Sequence, residues 1–194
     1  MITHIDGILE EKNPAYVIIE VNGLGYYLYI TLNTYSELPD KGRIRLLTQF
    51  IVREDAQLLY GFSSDEERTM FKSLINVSGV GASTAMLILS SLKPEELVSA
   101  ILEENVEVLK KIKGIGAKSA QRIIIDLKDK VGKFGISNQI SGAKDNTVKI
   151  EALSALAVLG VDKKKAEKFI DNILTQQQAE ISVEELIKKT LKSL

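Results

Sequence analysis

The chain has 194 residues, enough for one to three domains, with 45% apolar and 26% charged residues and a formal net charge of -1. No apolar run approaches the roughly 18 residues of a membrane span, no secretory leader pattern follows Met1, and the lack of cysteine excludes disulfides and thiolate metal sites. We therefore expect a globular cytoplasmic protein without a membrane span, whose charge balance disfavours nonspecific coating of nucleic acid.

Residues 1–62 have the two-residue apolar period of short β-strands. Asn22-Gly23 predicts a tight hairpin, and Pro39 to Gly42 a second turn. Several short strands at this spacing favour a small closed barrel of the OB-fold type, with another five- or six-stranded barrel as the alternative. The predicted strands are Ile2–Leu9, Tyr16–Val21, Tyr26–Ile30, Ile44–Thr48, Phe50–Val52 and Leu58–Tyr60.

Residues 63–133 change to the period of α-helices. Ser64 and Glu67 predict a capping box at the first helix, Pro94 suits the first turn of another, and Asn105 is a candidate N-cap. We expect about five helices here.

Two Gly-apolar-Gly turns, about 35 residues apart, each open a predicted helix. Leu74–Leu89 and Leu109–Ile124 share a leucine, both glycines, two alanines and a late isoleucine, which predicts a duplicated helix-hairpin-helix with Val80 and Ile115 as inward pegs. The amides after such glycines are the unpaired first donors of a helix, so they favour a phosphate, although an ordinary helix–helix turn is the alternative. The candidate DNA-binding residues are Gly79, Val80, Gly81, Ser83, Thr84, Gly114, Ile115, Gly116, Lys118, Ser119 and Arg122.

Charge is distributed unevenly around the second turn. Residues 108–133 have a net charge of +6, whereas residues 93–107 have a net charge of -4. A lysine-rich helix is most often a solvated face, but this cluster brackets the turn where a phosphate site needs it.

Residues 134–147 lose hydrophobic periodicity and predict a flexible linker. Residues 148–194 predict three short helices, with a stop at Gly160, a cap at Asp162 and a capping box at Ser182 and Glu185. A core this small is typical of a docking module.

The sequence offers no catalytic constellation. His4 is interpreted as structural because no second histidine or cysteine accompanies it, and the Gly114 to Ser119 segment lacks the spacing of a nucleotide-binding loop. Lys118 as a Schiff-base nucleophile with Asp126 as helper is an alternative of a different class. We expect no catalytic residue, no metal and no cofactor.

Glu54 and Asp55 are adjacent acids at a predicted hairpin tip. A solvated turn is one interpretation. In a protein that binds phosphates, the other is an acidic pin that repels DNA backbones and keeps separated strands apart.

Together these segments resemble the RuvA family over the whole chain. The resemblance rests on FIVREDAQLLYGF at residues 50–62, the following Glu67-Arg68 pair, the cores NVSGVGAS and KIKGIGAKSAQR, and ALSALAVLG near the end. It implies an α+β multidomain protein with an OB-fold (1–62), a tandem helix-hairpin-helix domain (63–133), a linker (134–147) and a UBA-like three-helix module (148–194).

The family resemblance also implies a function and partners. Members bind four-way Holliday junction DNA as a homotetramer or octamer and recruit the RuvB ATPase motor for branch migration in recombination and repair, with the RuvC resolvase as a further candidate partner. It makes Glu54 and Asp55 the acidic pin, and Leu156, Leu159 and Val161 the RuvB contact. The chain departs from the family at Ser83, where lysine is frequent, and at Val161, where an aromatic is common.

Two other functions fit the glycine turns. One is a helix-hairpin-helix scaffold of another repair or replication complex, without four-fold symmetry. The other is a DNA glycosylase or lyase, yet neither accounts for the segment REDAQLLYGF.

Overall fold

The structure, a computed structural model, describes residues 1–139, 144–176 and 181–193. Its contacts divide the chain into two compact units, Met1–Gly135 and Ile136–Leu194. The elements in chain order are β1 (His4–Asn13), β2 (Tyr16–Val21), β3 (Leu24–Ile30), α1 (Leu32–Glu37), β4 (Gly42–Val52), β5 (Gln57–Phe62), α2 (Asp65–Ile75), α3 (Ala82–Ser91), α4 (Pro94–Leu102), α5 (Val106–Lys110), α6 (Ala117–Gln139), α7 (Lys144–Val158), α8 (Lys163–Gln176) and α9 (Val183–Ser193).

The five strands form a closed barrel in the order β1-β2-β3-β5-β4. All pairs are antiparallel except β3 and β5, which run parallel. Alternate side chains point inward, and residues such as Val17, Ile19 and Leu28 are fully buried. The closed five-stranded barrel confirms the prediction of an OB-fold barrel. Closure also leaves no edge strand exposed.

The predicted hairpin between β2 and β3 is confirmed. Asn22 and Gly23 have φ of 51° and 85°, the left-handed pair that a two-residue hairpin turn requires.

Two features of this unit differ from the prediction. Residues 44–52 belong to the single strand β4 rather than to two strands, and the short helix α1, capped by the Thr31 side chain on Thr34 N, was not predicted.

The α2 N-terminus connects the barrel to the helices. Ser64 Oγ accepts a hydrogen bond from Glu67 N at 3.1 Å, which confirms the cap. The Glu67 side chain does not return to Ser64, so the predicted capping box is wrong in that half. Its carboxylate instead accepts hydrogen bonds from the hydroxyls of Thr31 (2.5 Å) and Thr34 (2.6 Å).

Two more predicted helix starts in this unit are confirmed. Pro94 occupies the first turn of α4, and the Asn105 side chain accepts from Val108 N at the start of α5. Tyr60 and Phe62 of β5 each pack on Phe71 of α2, with ring centroids 5.0 Å apart.

The second unit contains helices α7, α8 and α9. Asp162 Oδ1 accepts from Lys165 N at 3.0 Å, which confirms the predicted cap. Ser182 Oγ accepts from Glu185 N at 3.3 Å, which confirms the Ser182 half of the predicted capping box. Gly160, with φ of 82°, follows the end of α7. Helices α6 and α7 extend into the predicted linker from its two sides. Residues 140–143 of the linker lie outside the described residues. The flexibility of the linker therefore stays a prediction.

Candidate nucleic-acid interface

Two hairpins in the first unit have the same backbone geometry. The first hairpin comprises α2, residues 76–81 and α3; the second comprises α5, residues 111–116 and α6. Three hydrogen bonds recur at equivalent positions: Val77 N to Leu74 O (3.0 Å) and Ile112 N to Leu109 O (3.1 Å), Val80 N to Val77 O (3.0 Å) and Ile115 N to Ile112 O (3.1 Å), and Ala85 N to Gly81 O (3.0 Å) and Ala120 N to Gly116 O (2.9 Å). The predicted duplication is therefore present in three dimensions.

The first glycine of each turn is required by the backbone. Gly79 and Gly114 both have φ of 86°, a conformation that costs about 1–2 kcal/mol for a residue with a Cβ. This conformation lets each turn reverse direction within the hairpin.

The second glycine of each turn has no such requirement. Gly81 has φ of -84°, Gly116 also lies outside the left-handed region, and a Cβ built on either meets no atom within 4 Å. Neither conformation nor packing demands glycine at these positions. What glycine provides there is a bare backbone that another molecule can approach closely.

The residues between the glycines are pegs, as predicted. Val80 and Ile115 retain only 6% and 5% of their exposure, and both belong to the core that holds the hairpin helices together. Their side chains therefore support the turn, and their place among the predicted DNA-binding residues rests on the backbone alone.

Backbone amides are open at the start of α3 and α6. Gly81 is the N-cap of α3 and makes no side-chain capping bond. The first helical bonds start only at Ala85 and Ala120, so the preceding amides have no intrahelical acceptor. Ser83 and Lys118 are exposed beside these amides, while Thr84 and Ser119 are half-buried. Amides, hydroxyls and the positive end of the helix dipole together suit an anion.

Exposed cations surround the second turn. Lys110 pairs with Glu107 at 2.8 Å, and Arg122 lies 4.0 Å from Asp126, at the limit of an ion pair. Such exposed pairs are weak and leave the cations able to meet a phosphate. Within the described ranges, Lys118 has no acidic partner. Because Asp126 faces Arg122 and Lys118 is exposed rather than desolvated, the geometry gives no support to the Schiff-base alternative.

Glu54 and Asp55 lie at the tip of the β4–β5 hairpin. Arg53 N donates to Ala56 O at 2.8 Å and closes the turn, and both carboxylates are exposed. In the part of the chain that the structure describes, neither acid forms an ion pair. The tip therefore presents two exposed carboxylates next to the exposed side chain of Arg53.

The three predicted RuvB-contact residues have different environments. Leu156 is fully buried in the core of the second unit, where its side chain packs inside the three helices, and its role as a RuvB contact stays a prediction. Leu159 is 61% exposed, and Val161 packs partly against the core. Val158, which no sequence pattern indicated, is 86% exposed. The spacing of apolar residues alone could not show which of them are buried and which are exposed at the end of α7.

Other candidate chemistry is limited in the described ranges. His4 is exposed and its ring lies 3.1 Å from the Thr3 hydroxyl. No cluster of three potential metal ligands occurs among the described residues. No described helix combines the length and apolar character needed to cross a bilayer.

Comparison with known proteins matches every part of the chain. The RuvA N terminal domain matches residues 1–61, the SAM-like helix-hairpin-helix tandem matches residues 71–129, and the RuvA C-terminal domain matches residues 148–194. Proteins named Holliday junction branch migration complex subunit RuvA are similar over their full length. Those of Christiangramia forsetii and Flavobacterium psychrophilum are 49% and 47% identical, with 100% of both chains covered. That of Cytophaga hutchinsonii is 41% identical, with 99% of both covered.

Proposed function

The chain belongs to the RuvA family, and from this premise we propose that it binds four-way Holliday junction DNA, keeps the junction open and planar, and recruits the RuvB ATPase motor for branch migration in recombination and repair. The observation that carries the proposal is the pair of equivalent turns whose second glycines, Gly81 and Gly116, expose bare backbone. A phosphate is the anion that several adjacent amides at a helix start bind well.

Specificity for the junction comes from geometry. Contacts from amides, hydroxyls and lysines to phosphates carry no base sequence. In a homotetramer, four copies of the two hairpins face four duplex arms at once, and a linear duplex fills only a fraction of these sites. The family assembly, whether tetramer or octamer, is thus part of the selectivity.

Glu54 and Asp55 act at the crossover as a pin. Their exposed carboxylates at a hairpin tip repel approaching phosphates. This repulsion keeps the DNA backbones away from the centre of the junction and keeps the separated strands from pairing again there.

The second unit is the docking module for RuvB. Val158, Leu159 and Val161 give it an apolar surface beside the Gly160 turn, and exposed apolar side chains of this kind commonly bind a partner protein. Leu156 supports this surface from within the core. We assign residues 148–194 to this module, 134–147 to the linker, 63–133 to the helix-hairpin-helix domain and 1–62 to the barrel.

We further propose that the chain is the non-catalytic, cytoplasmic subunit of this complex. The chemistry of ATP hydrolysis belongs to the motor. The RuvC resolvase would act on the same junction.

The test compares a four-way junction with a linear duplex of equal length by gel shift, using the full chain and Gly116→Ala. We expect wild type to prefer the junction strongly. Gly116→Ala should unfold at the wild-type temperature, because its Cβ meets open space, but should bind the junction several-fold more weakly. Equal affinity of wild type for junction and duplex would refute the function, and unchanged binding by Gly116→Ala would remove the turns from the interface.

A further inference from the structure

The two glycine-turn repeats, residues 74–89 and 109–124, share the same turn hydrogen bonds, but the second is basic and the first is uncharged. Every basic residue of the second repeat is matched by an uncharged residue in the first, although the equivalent positions share geometry. The matched pairs are Ile75 and Lys110, Asn76 and Lys111, Ser78 and Lys113, Ser83 and Lys118, and Leu87 and Arg122.

Four of the five positions in the first repeat are exposed, where a charge would reach a ligand, and only Ile75 packs against the core. Ser83 and Lys118 are both exposed beside the open amides, and Leu87, on the same face of α3, is 40% exposed. The equivalent Arg122 is exposed on α6. Residues 74–91 contain no charged side chain at all. The nearest cations in sequence, Lys72 and Lys93, come before and after this repeat.

We propose that the two hairpins hold a DNA arm in chemically different ways. The second neutralises phosphate charge through Lys118, Arg122 and their neighbours, whereas the first binds phosphate only through neutral donors, its amides and the hydroxyls of Ser83 and Thr84. The proposal rests on the proposed function, because it assumes that both turns face DNA. It assigns the salt dependence of binding to one hairpin and a salt-independent contribution to the other.

This division follows from counterion release. A cation that neutralises a phosphate releases condensed ions, and each such contact adds about 0.9 to the steepness of log affinity against log salt. An amide or hydroxyl that binds the same phosphate releases no equivalent charge. At high salt the first hairpin therefore keeps more of its contribution than the second.

The experiment measures junction affinity of the full chain by fluorescence anisotropy at several salt concentrations. Lys118→Gln with Arg122→Gln should flatten the log–log slope by about 0.9 for each phosphate that the two cations no longer neutralise. Ser83→Ala should lower affinity by the same factor at every salt concentration and leave the slope unchanged. Ser83→Lys should steepen the slope, since the new ammonium would stand where Lys118 stands in the second hairpin.

Each outcome decides the matter. An unchanged slope in the Lys118 and Arg122 variant, or a flattened slope in Ser83→Ala, would overturn the division. An unchanged slope in Ser83→Lys would show that the first turn does not face phosphate, and would also overturn it. The same titration of the wild type on linear duplex tests the proposed function separately. If the wild type binds junction and duplex equally well, the proposed function is wrong. If it prefers the junction and only the slopes differ from expectation, the division between the hairpins is wrong.

Discussion

Replacing Glu67 should destabilise the first unit more than any exposed acid can. Its side chain is 2% exposed and accepts hydrogen bonds from the Thr31 and Thr34 hydroxyls. Thr31 Oγ1 already accepts from Thr34 N, and Thr34 Oγ1 from Ser63 N. The Thr31 hydroxyl thus donates its own proton to the carboxylate, and Thr34 does the same, with Ser63 Oγ at 3.4 Å as its other neighbour.

The loss of stability in Glu67→Ala depends on how many buried hydroxyls lose their acceptor. Glu67→Ala leaves the Thr31 hydroxyl without an acceptor and leaves Thr34 only the 3.4 Å approach to Ser63 Oγ. Each buried donor without an acceptor costs about 1–3 kcal/mol, so the free energy of unfolding should fall by about 1–6 kcal/mol. The matched control is Glu66→Ala, because Glu66 is exposed on the same turn of α2. That variant should stay within about 0.5 kcal/mol of wild type.

Tyrosine fluorescence during urea unfolding measures this effect on the full chain. All six tyrosines lie between residues 16 and 60 and the chain has no tryptophan, so the signal reports the barrel. If Glu67→Ala unfolds at the same urea concentration as Glu66→Ala, the carboxylate does not hold the barrel to α2.

The same side chain predicts a pH dependence. Burial raises the pKa of the Glu67 carboxyl above its ordinary value of 4.5, and the hydrogen bonds from Thr31 and Thr34 oppose that rise only in part. Because the folded-state pKa exceeds the unfolded one, the stability from this group is fully present below 4.5 and is lost as pH rises through the folded value. Glu67→Gln should remove this decline, and a decline of equal size in that variant would assign it to another group.

Three further results follow from the structure. Gly114→Ala should lower the stability of the folded chain by about 1–2 kcal/mol, because its φ is 86°; an unchanged melting temperature by circular dichroism would contradict this. Glu54→Gln with Asp55→Asn should keep or raise junction affinity while weakening preference for the crossover in a gel shift, and a large affinity loss would exclude repulsion. Leu156→Ala should destabilise the second unit by about 2–5 kcal/mol, whereas Leu159→Ala should leave unfolding unchanged and weaken RuvB binding by calorimetry.

Local sequence patterns predicted those parts of the fold that depend on neighbouring residues. Asn22-Gly23 fixes its hairpin because both residues adopt positive φ readily. Asp162 and Ser182 were found as caps because a cap bonds an amide three residues away. The hairpin turns were likewise visible as a repeat of glycines, and their pegs as the apolar residues between them.

What the sequence could not predict depends on distant contacts. Glu67 has the spacing of a capping box, yet hydroxyls more than 30 residues earlier in the chain compete for its carboxylate. Leu156 lies in the last turn of α7 and Leu159 directly after its end, and only the packing of α8 and α9 decides which of the two is covered. No local signal marked the exposed Val158 for the same reason.

The attachment of α2 to the barrel fixes the distance between the acidic tip and the first glycine turn. Strand β5 leads from the acidic tip directly into α2, whose far end enters the first glycine turn, and Phe71 together with Glu67 fixes that helix against the barrel. The interval between tip and turn is therefore set when the chain folds, before any DNA arrives. Under the proposed function, a branched DNA must therefore present its crossover and its arm at that fixed interval to contact the tip and the turn together.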